Sequence, residues 1–342
     1  MNPWKSQPII GQAPMDGVTD AAFRYITDLH GKPDVLFTEF VSVEGVGNGA
    51  VRLLNSFITH ETNTPIIGQI YGTEPHHFYT VAIIVAELGF SGIDINMGCP
   101  DASISKRGAG AGLIRTPKLA QEIVRTVQKA QKDWSNGITV DDIALRGSIR
   151  KWVSSHKPKD NPRSLLPVSV KTRIGFDEIT TSEWIPHLLE AQPAAITIHG
   201  RTLKQMYTGQ ANWEEIAKAA EMARTTETLI LGNGDVHSRN DALNKIQEYG
   251  VNGVLIGRAS FGNPWIFTGE EVSNKVRLET ALEHCKAFER LTPEGHFLSL
   301  RKHLAWYCKS FRNSAHVRDQ LMRVQSSADV EKILNSVIST LE

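Results

Sequence analysis

The chain has 342 residues, which accommodates one large α/β domain with a smaller partner or two medium domains. It is 41% hydrophobic and 22% charged, with 37 basic residues against 37 acidic ones, so a polyanionic partner would need a local basic face rather than a global charge. No apolar run approaches the roughly 18 residues of a membrane span, the first residues lack a signal-peptide core, and the cysteines Cys99, Cys285 and Cys308 lack C-x-x-C spacing, which disfavours a disulfide framework or zinc site and makes a reduced cytoplasm the expected compartment.

Short apolar, β-branched runs start at Ile9, Val35, Pro65, Ile93, Pro167, Ala195, Leu229 and Gly253. Each is followed by a turn bearing Gly, Asn or Asp and then by a longer helical pattern. The starts are 26, 30, 28, 74, 28, 34 and 24 residues apart, and every interval but one fits a βα unit of about 30 residues. Nearly continuous apolar strands in this rhythm predict a (β/α)8 TIM barrel over residues 1–271 rather than an open sheet. The long interval contains a polar insertion, 131–166, expected on the barrel rim. From residue 272 to 342 strand signals vanish, and helical spacing such as Leu300, Leu304, Tyr307 and Phe311 predicts a small all-helical C-terminal domain.

In such a barrel, chemistry belongs at the C-terminal ends of the strands. Those ends carry Pro14 and Met15, then Gln69, Asn96 with Cys99, and Lys171 with Arg173. Next come His199 with Arg201, Asn233-Gly234-Asp235, and finally Gly257-Arg258. The last two turns, glycine-rich and followed by helical segments, suit a phosphate, because their backbone N–H groups can approach an anion. Tight turns without a ligand would use the same residues. The segment Gly108–Gly112 lacks G-x-G-x-x-G spacing and does not follow a strand, so it is expected to let a loop lie close to the mouth, not to bind a dinucleotide. Cys285 and Cys308 sit on apolar helical faces and are expected to be inert filler. Cys99 stands just past a strand end, before Pro100. A thiol is mostly protonated at neutral pH, so it could serve as a general acid as readily as a nucleophile.

In order along the chain stand Ala13–Arg24 ("APMDGVTDAAFR"), Asn96–Pro100 ("NMGCP") with "GAGAGL", Val170–Gly175 ("VKTRIG"), His199–Thr202 ("HGRT"), "NGD" and "GRA". In this arrangement the sequence resembles the tRNA-dihydrouridine synthases, over most of its length. The resemblance implies an FMN barrel with a helical tRNA-binding domain. It implies that NADPH reduces FMN, that hydride passes from flavin N5 to uracil C6, and that Cys99 protonates C5. By position, Pro14, Met15, Gln69, Lys171, His199, Asn233, Gly234, Asp235, Gly257 and Arg258 would hold FMN. Asn96, Arg173 and Tyr207 would contact a flipped-out uracil. No obligatory protein partner is implied, and a monomer is expected.

Two stretches offer local positive charge. Residues 286–323 carry eight cations against Glu289, Glu294 and Asp319, and residues 145–163 carry six against Asp160. RNA contact is expected of the first and left open for the second. The insertion departs from the common family core, and "KSFRNSAH" (309–316) lacks glycines frequent there in the family. One rival is another FMN barrel reducing a small enone or a free pyrimidine, which would leave the cationic helical domain without a use. A non-enzymatic RNA-binding module is the other rival, disfavoured by the intact Cys99, Lys171 and His199.

Overall fold

The computed structural model describes every residue except 1, 6, 293, 294, 340 and 342, so Glu294, counted above, lies outside the described residues. Among the described residues eight strands form one parallel sheet. They are β1 (Ile9–Gln12), β2 (Leu36–Ser42), β3 (Ile66–Tyr71), β4 (Gly92–Met97), β5 (Val168–Arg173), β6 (Ala195–His199), β7 (Leu229–Asn233) and β8 (Gly253–Ile256). Each begins within one residue of its expected start. The order β1-β8-β7-β6-β5-β4-β3-β2 curls round until Gln12 N–H donates to the Val35 carbonyl (3.0 Å) and Asp34 N–H to that of Ile10 (3.1 Å). The fold is a (β/α)8 barrel followed by a helical C-terminal region.

Strand periodicity sorts the side chains. Along β4, Ile93, Ile95 and Met97 join the apolar layer beneath the helices, while Asp94 and Asn96 face the barrel interior, where they bond across strands. That outer layer is completed by α1 (Ala21–Gly31), α2 (Val43–Gly47), α3 (Pro75–Glu87), α4 (Ala102–Ser105) and α5 (Pro117–Ser135). It continues through α6 (Gly147–His156), α7 (Thr181–Leu189), α8 (Trp213–Ala223) and α9 (Arg239–Tyr249). A second apolar cluster, including Ile9, Phe37, Ile67, Leu231 and Leu255 with Trp4, fills the barrel interior.

The insertion is partly helical. Helix α5 runs on to Ser135, five residues past the expected end, and α6 lies within the inserted stretch. This stretch leads from α5 back to the start of β5 along the outside of the barrel: Arg146 lies against Gly49 just after α2, α6 packs on residues 51–57, and the later part reaches the end of α3. Its anchors agree: Asn161 donates to the carbonyls of Ala86 (2.8 Å) and Glu87 (3.2 Å) at the end of α3. Arg163 donates to the Ile138 carbonyl (3.0 Å) and pairs with the buried Glu87 carboxylate (3.4 Å), which Lys157 also approaches (3.5 Å). Arg150 reaches the Ile143 carbonyl (3.1 Å) and Asp141 (3.3 Å). Three of the six cations are thus spent within the insertion or on α3.

The C-terminal helices are α10 (Asn274–Leu291), α11 (Arg301–Tyr307), α12 (Ser314–Leu321) and α13 (Ser327–Ile338). Leu278, Cys285, Leu300, Leu304, Leu321 and Leu334 share a core that includes Ala22 of α1, so this unit packs on the first barrel helix. Its α13 starts with a reciprocal Ser326/Asp329 capping box, a device worth about 1 kcal/mol. At the seam His30 meets Glu283 (2.6 Å), and His284 and His303 stack edgewise on each other beside Phe23. Burial drives His284 down to about 3 and His303 well below the ordinary imidazole range, so both are neutral spacers in the seam.

Candidate active site

The C-terminal strand ends open into a cavity of about 1200 Å³. Thirteen of the fourteen expected site residues line it: Pro14, Met15, Asn96, Cys99, Lys171, Arg173, His199, Tyr207, Asn233, Gly234, Asp235, Gly257 and Arg258. Gln69 does not. It is fully buried beneath the floor, with its amide between Asp94 (2.7 Å) and Asn96 (3.1 Å).

Cys99 is half-buried and held by its backbone. The Asn96 carboxamide oxygen accepts the N–H groups of Gly98 (3.0 Å) and Cys99 (2.8 Å), an Asx-type turn that aims the chain across the strand end. The glycine segment closes on the other side, with Ala111 N–H donating to the Cys99 carbonyl (3.2 Å). Gly110 there has φ +56°, and a Cβ would lie 3.1 Å from Cys99 Cβ, so a side chain would be both strained and crowded. Burial pushes the Cys99 thiol above its ordinary range, and the Asp101 and Asp16 carboxylates push it further, opposed by the Asp101 N–H and Arg173. The thiol is therefore protonated at neutral pH. Cys285 and Cys308 are buried in the helical core, where burial pushes them up to about 12 and about 11.

Cations line the wall that runs from the neighbouring strand β5 round to β8. Lys171 donates to Asn233 Oδ1 (3.1 Å), whose amide nitrogen donates to the Leu255 carbonyl (2.7 Å). Burial, helped by Arg173, lowers Lys171 to about 8, with Asp94 and Cys99 pulling the other way. His199 lies with Nε2 3.2 Å from Arg201 Nη1. A guanidinium can only donate, so Nε2 is the acceptor and the imidazole proton sits on Nδ1. Burial and the cations Lys171, Arg173, Arg201 and Arg258 keep the ring neutral.

Asp235 carries one member of this set to another. Its carboxylate accepts from Arg201 (2.6 Å), from Ala211 N–H (2.8 Å) and from Arg258 (3.1 Å). Its side chain thus orients Arg258, whose own head group stays more than half exposed. Gly257 leaves an open face: a Cβ there would meet only Met15 Sδ at 3.5 Å and Ala13 Cβ at 3.9 Å, and would stand in the cavity.

Arg173 is a clamp between two loops. Its Nε donates to the Gly98 carbonyl (2.7 Å) and its Nη1 to those of Thr202 (3.0 Å) and Met206 (3.2 Å). It ties the Cys99 turn to the loop bearing Tyr207, an exposed ring lying 5.6 Å from Arg258. The helical region abuts the rim. Lys302 of α11 faces Asp16 and Gly17, and Trp306 stacks on the cavity-lining Phe261 (centroids 4.0 Å apart).

Sequence reasoning missed Asp94, although its spacing of two from Asn96 puts both on the inner face of β4. It passed over Phe261 and Asp101 as well, which lie beyond the strand ends and carry no local signal.

The chain matches a family model described as dihydrouridine synthase (Dus) over residues 11–141 and 155–341. The unmatched residues 142–154 fall in the insertion around α6. It is 34% identical over 341 residues to a "Probable tRNA-dihydrouridine synthase" of Staphylococcus epidermidis strain RP62A, covering 96% of this chain and 94% of that one. It is 32% identical over 347 residues to a "Probable tRNA-dihydrouridine synthase 2" of Bacillus subtilis strain 168, covering 98% and 96%. Among solved structures, DHODH from Eimeria tenella in complex with ferulenol superposes with a TM-score of 0.51 over 82% of each chain, at 11% identity, a likeness of fold alone.

Proposed function

The chain belongs to the dihydrouridine synthase family, and on that premise we propose that it reduces specific uridines of tRNA to 5,6-dihydrouridine, with FMN as cofactor and NADPH as reductant. The observation that carries the reading is the pairing at the cavity mouth of a held, protonated thiol with a run of cations from β5 round to β8. An ene reduction needs both: an acid for one carbon and a site for an anionic redox group facing the other.

The wall suits FMN. The open face of Gly257, the fixed Arg258 and the Gly234 turn offer N–H groups and charge to a phosphate. Lys171, His199 with its Nδ1 proton, and Asn233 line the place for a ring system, with Pro14 and Met15 on its edge. Bound FMN would supply the hydride for uracil C6, drawn in turn from NADPH. Cys99 delivers its proton to C5, and the carboxylates of Asp16 and Asp101 help keep that proton on sulfur until the ring accepts it. Arg173 and Asn96 hold the turn that carries the thiol, and Tyr207 stands at the entrance to cover an extruded base.

The neighbouring helical region supports an RNA substrate over a small alkene, because its Lys302 and the Phe261–Trp306 stack border the same mouth. Mass mapping of tRNA from cells with and without this protein tests the reading: defined dihydrouridines should vanish without it. Purified protein should be yellow. An unchanged dihydrouridine map would overturn the proposal.

A further inference from the structure

Beneath the cavity floor Gln69, Asp94 and Ser169, which the chemistry above does not use, form a polar line that joins Asn96 at the mouth. The register pairs Gln69 with Asp94 and Asp94 with Ser169, so three inward-facing residues of β3, β4 and β5 stand in one row. Gln69 Nε2 donates to Asp94 Oδ2 (2.7 Å) and Ser169 Oγ to Asp94 Oδ1 (2.6 Å). One step nearer the mouth, Asn96 Nδ2 donates to Gln69 Oε1 (3.1 Å), and Asn96 Oδ1 accepts the N–H groups of Gly98 and Cys99.

The direction of this line is dictated at both ends. Backbone N–H groups can only donate, so Asn96 must present its oxygen to them and its NH2 to Gln69. Gln69 must then present its oxygen to Asn96 and its NH2 to whatever lies behind it. Two amides in series therefore require an acceptor at the far end, and an ionised carboxylate is acceptor-only. Asp94 is fully buried. Burial lifts it to about 6, but the Ser169 and Gln69 hydrogen bonds and the charge of Lys171 hold it there, so it is ionised at neutral pH.

The geometry points to Asp94 as a positioning residue that, through the fixed orientation of the Gln69 and Asn96 amides, sets the backbone turn placing Cys99 at the mouth. The proposal rests on the reading of Cys99 as the proton donor for its importance to catalysis, but its structural content can be tested without flavin or RNA. Gln69, expected from sequence to touch cofactor, is in this line the middle link.

The test is amide hydrogen exchange of the Gly98 and Cys99 N–H groups, followed by mass spectrometry on the full chain, with thermal melting alongside. Asp94→Leu removes the acceptor and should cut protection at those two amides about five-fold or more, the equivalent of one hydrogen bond. Asp94→Asn keeps an oxygen for Gln69 while its NH2 meets the Ser169 hydroxyl, and should stay within about two-fold of the wild type. Should Asp94→Leu not fold, Gln69→Met interrupts the same line at its middle without removing a charge and must give the same loss. Unchanged protection in whichever variant melts cooperatively overturns the proposal. So does an Asp94→Asn variant as unprotected as the leucine variant, which would assign Asp94 a charge role instead. Failure of the uridine-reductase reading would appear separately, as wild-type protein forming no dihydrouridine.

Discussion

Residues 145–163 and 286–323 are both rich in cations in the sequence, yet the fold puts them to different uses. The first lies in a connection that runs along the outside of the barrel from a helix back to a strand. There Arg163 and Lys157 answer the buried Glu87 carboxylate, and Arg150 is tied to backbone carbonyls and Asp141. The second lies in a helical unit packed on α1, which brings Lys302 to the edge of the cavity. Some of its charges are also committed, such as Lys286 to Glu331 and Arg318 to the Cys308 carbonyl, while Lys309, though exposed, reaches the Phe261 carbonyl (3.5 Å) beside the cavity and Arg312 is exposed. A charge count thus measures supply only; position relative to the strand ends decides whether RNA can use it.

The comparison between mouth and insertion can be pressed hardest at Cys99. Cys99→Ala should lower uracil reduction by about 10²- to 10⁴-fold while leaving RNA affinity unchanged, measured by single-turnover dihydrouridine formation and a binding isotherm. Equal loss of binding would make the thiol part of the RNA surface. Next in size is charge reversal in the helical region: Lys302→Glu with Arg312→Glu should weaken tRNA binding about ten-fold or more at low salt and flatten its salt dependence. The matching reversal in the insertion, Lys151→Glu with Lys159→Glu, should change affinity by less than about two-fold, because those side chains are exposed and lie outside the cavity lining. If the two reversals act alike, both regions meet the RNA.

A smaller effect separates the two regions by pH. Lys171 is cationic below about 8 and loses its proton above, so the rate of the proposed uridine reduction should fall as pH rises through that value. The insertion is probed by unfolding instead. Its own signature is packing: Arg163→Ala strips the buried Glu87 of a partner and should cost about 1–3 kcal/mol in urea unfolding, with activity per folded molecule intact.

Much of the fold was legible because its signal is local. A parallel strand buried on both faces announces itself in five or six residues, and a turn of Gly, Asn or Asp marks where it stops. Once eight such runs are in order, barrel closure gathers all their ends, so the cavity lining followed from topology rather than from any pair of residues. The extension of α5 to Ser135 and the helix α6 were less legible, since the polar insertion shows only short amphipathic spacing around Ile149 and Val153.

The sequence by itself determined which residues stand at the mouth and which thiol, Cys99 rather than Cys285 or Cys308, belongs to it. Only the tertiary structure decided which partners the buried polar groups behind and below the mouth are tied to. Gln69 is committed to an aspartate 25 residues away, Arg201 to one 34 away, and Glu87 to an arginine 76 away. Hydrogen bonds act over about 3 Å of space, not over sequence distance, so such commitments arise when folding brings distant strands side by side.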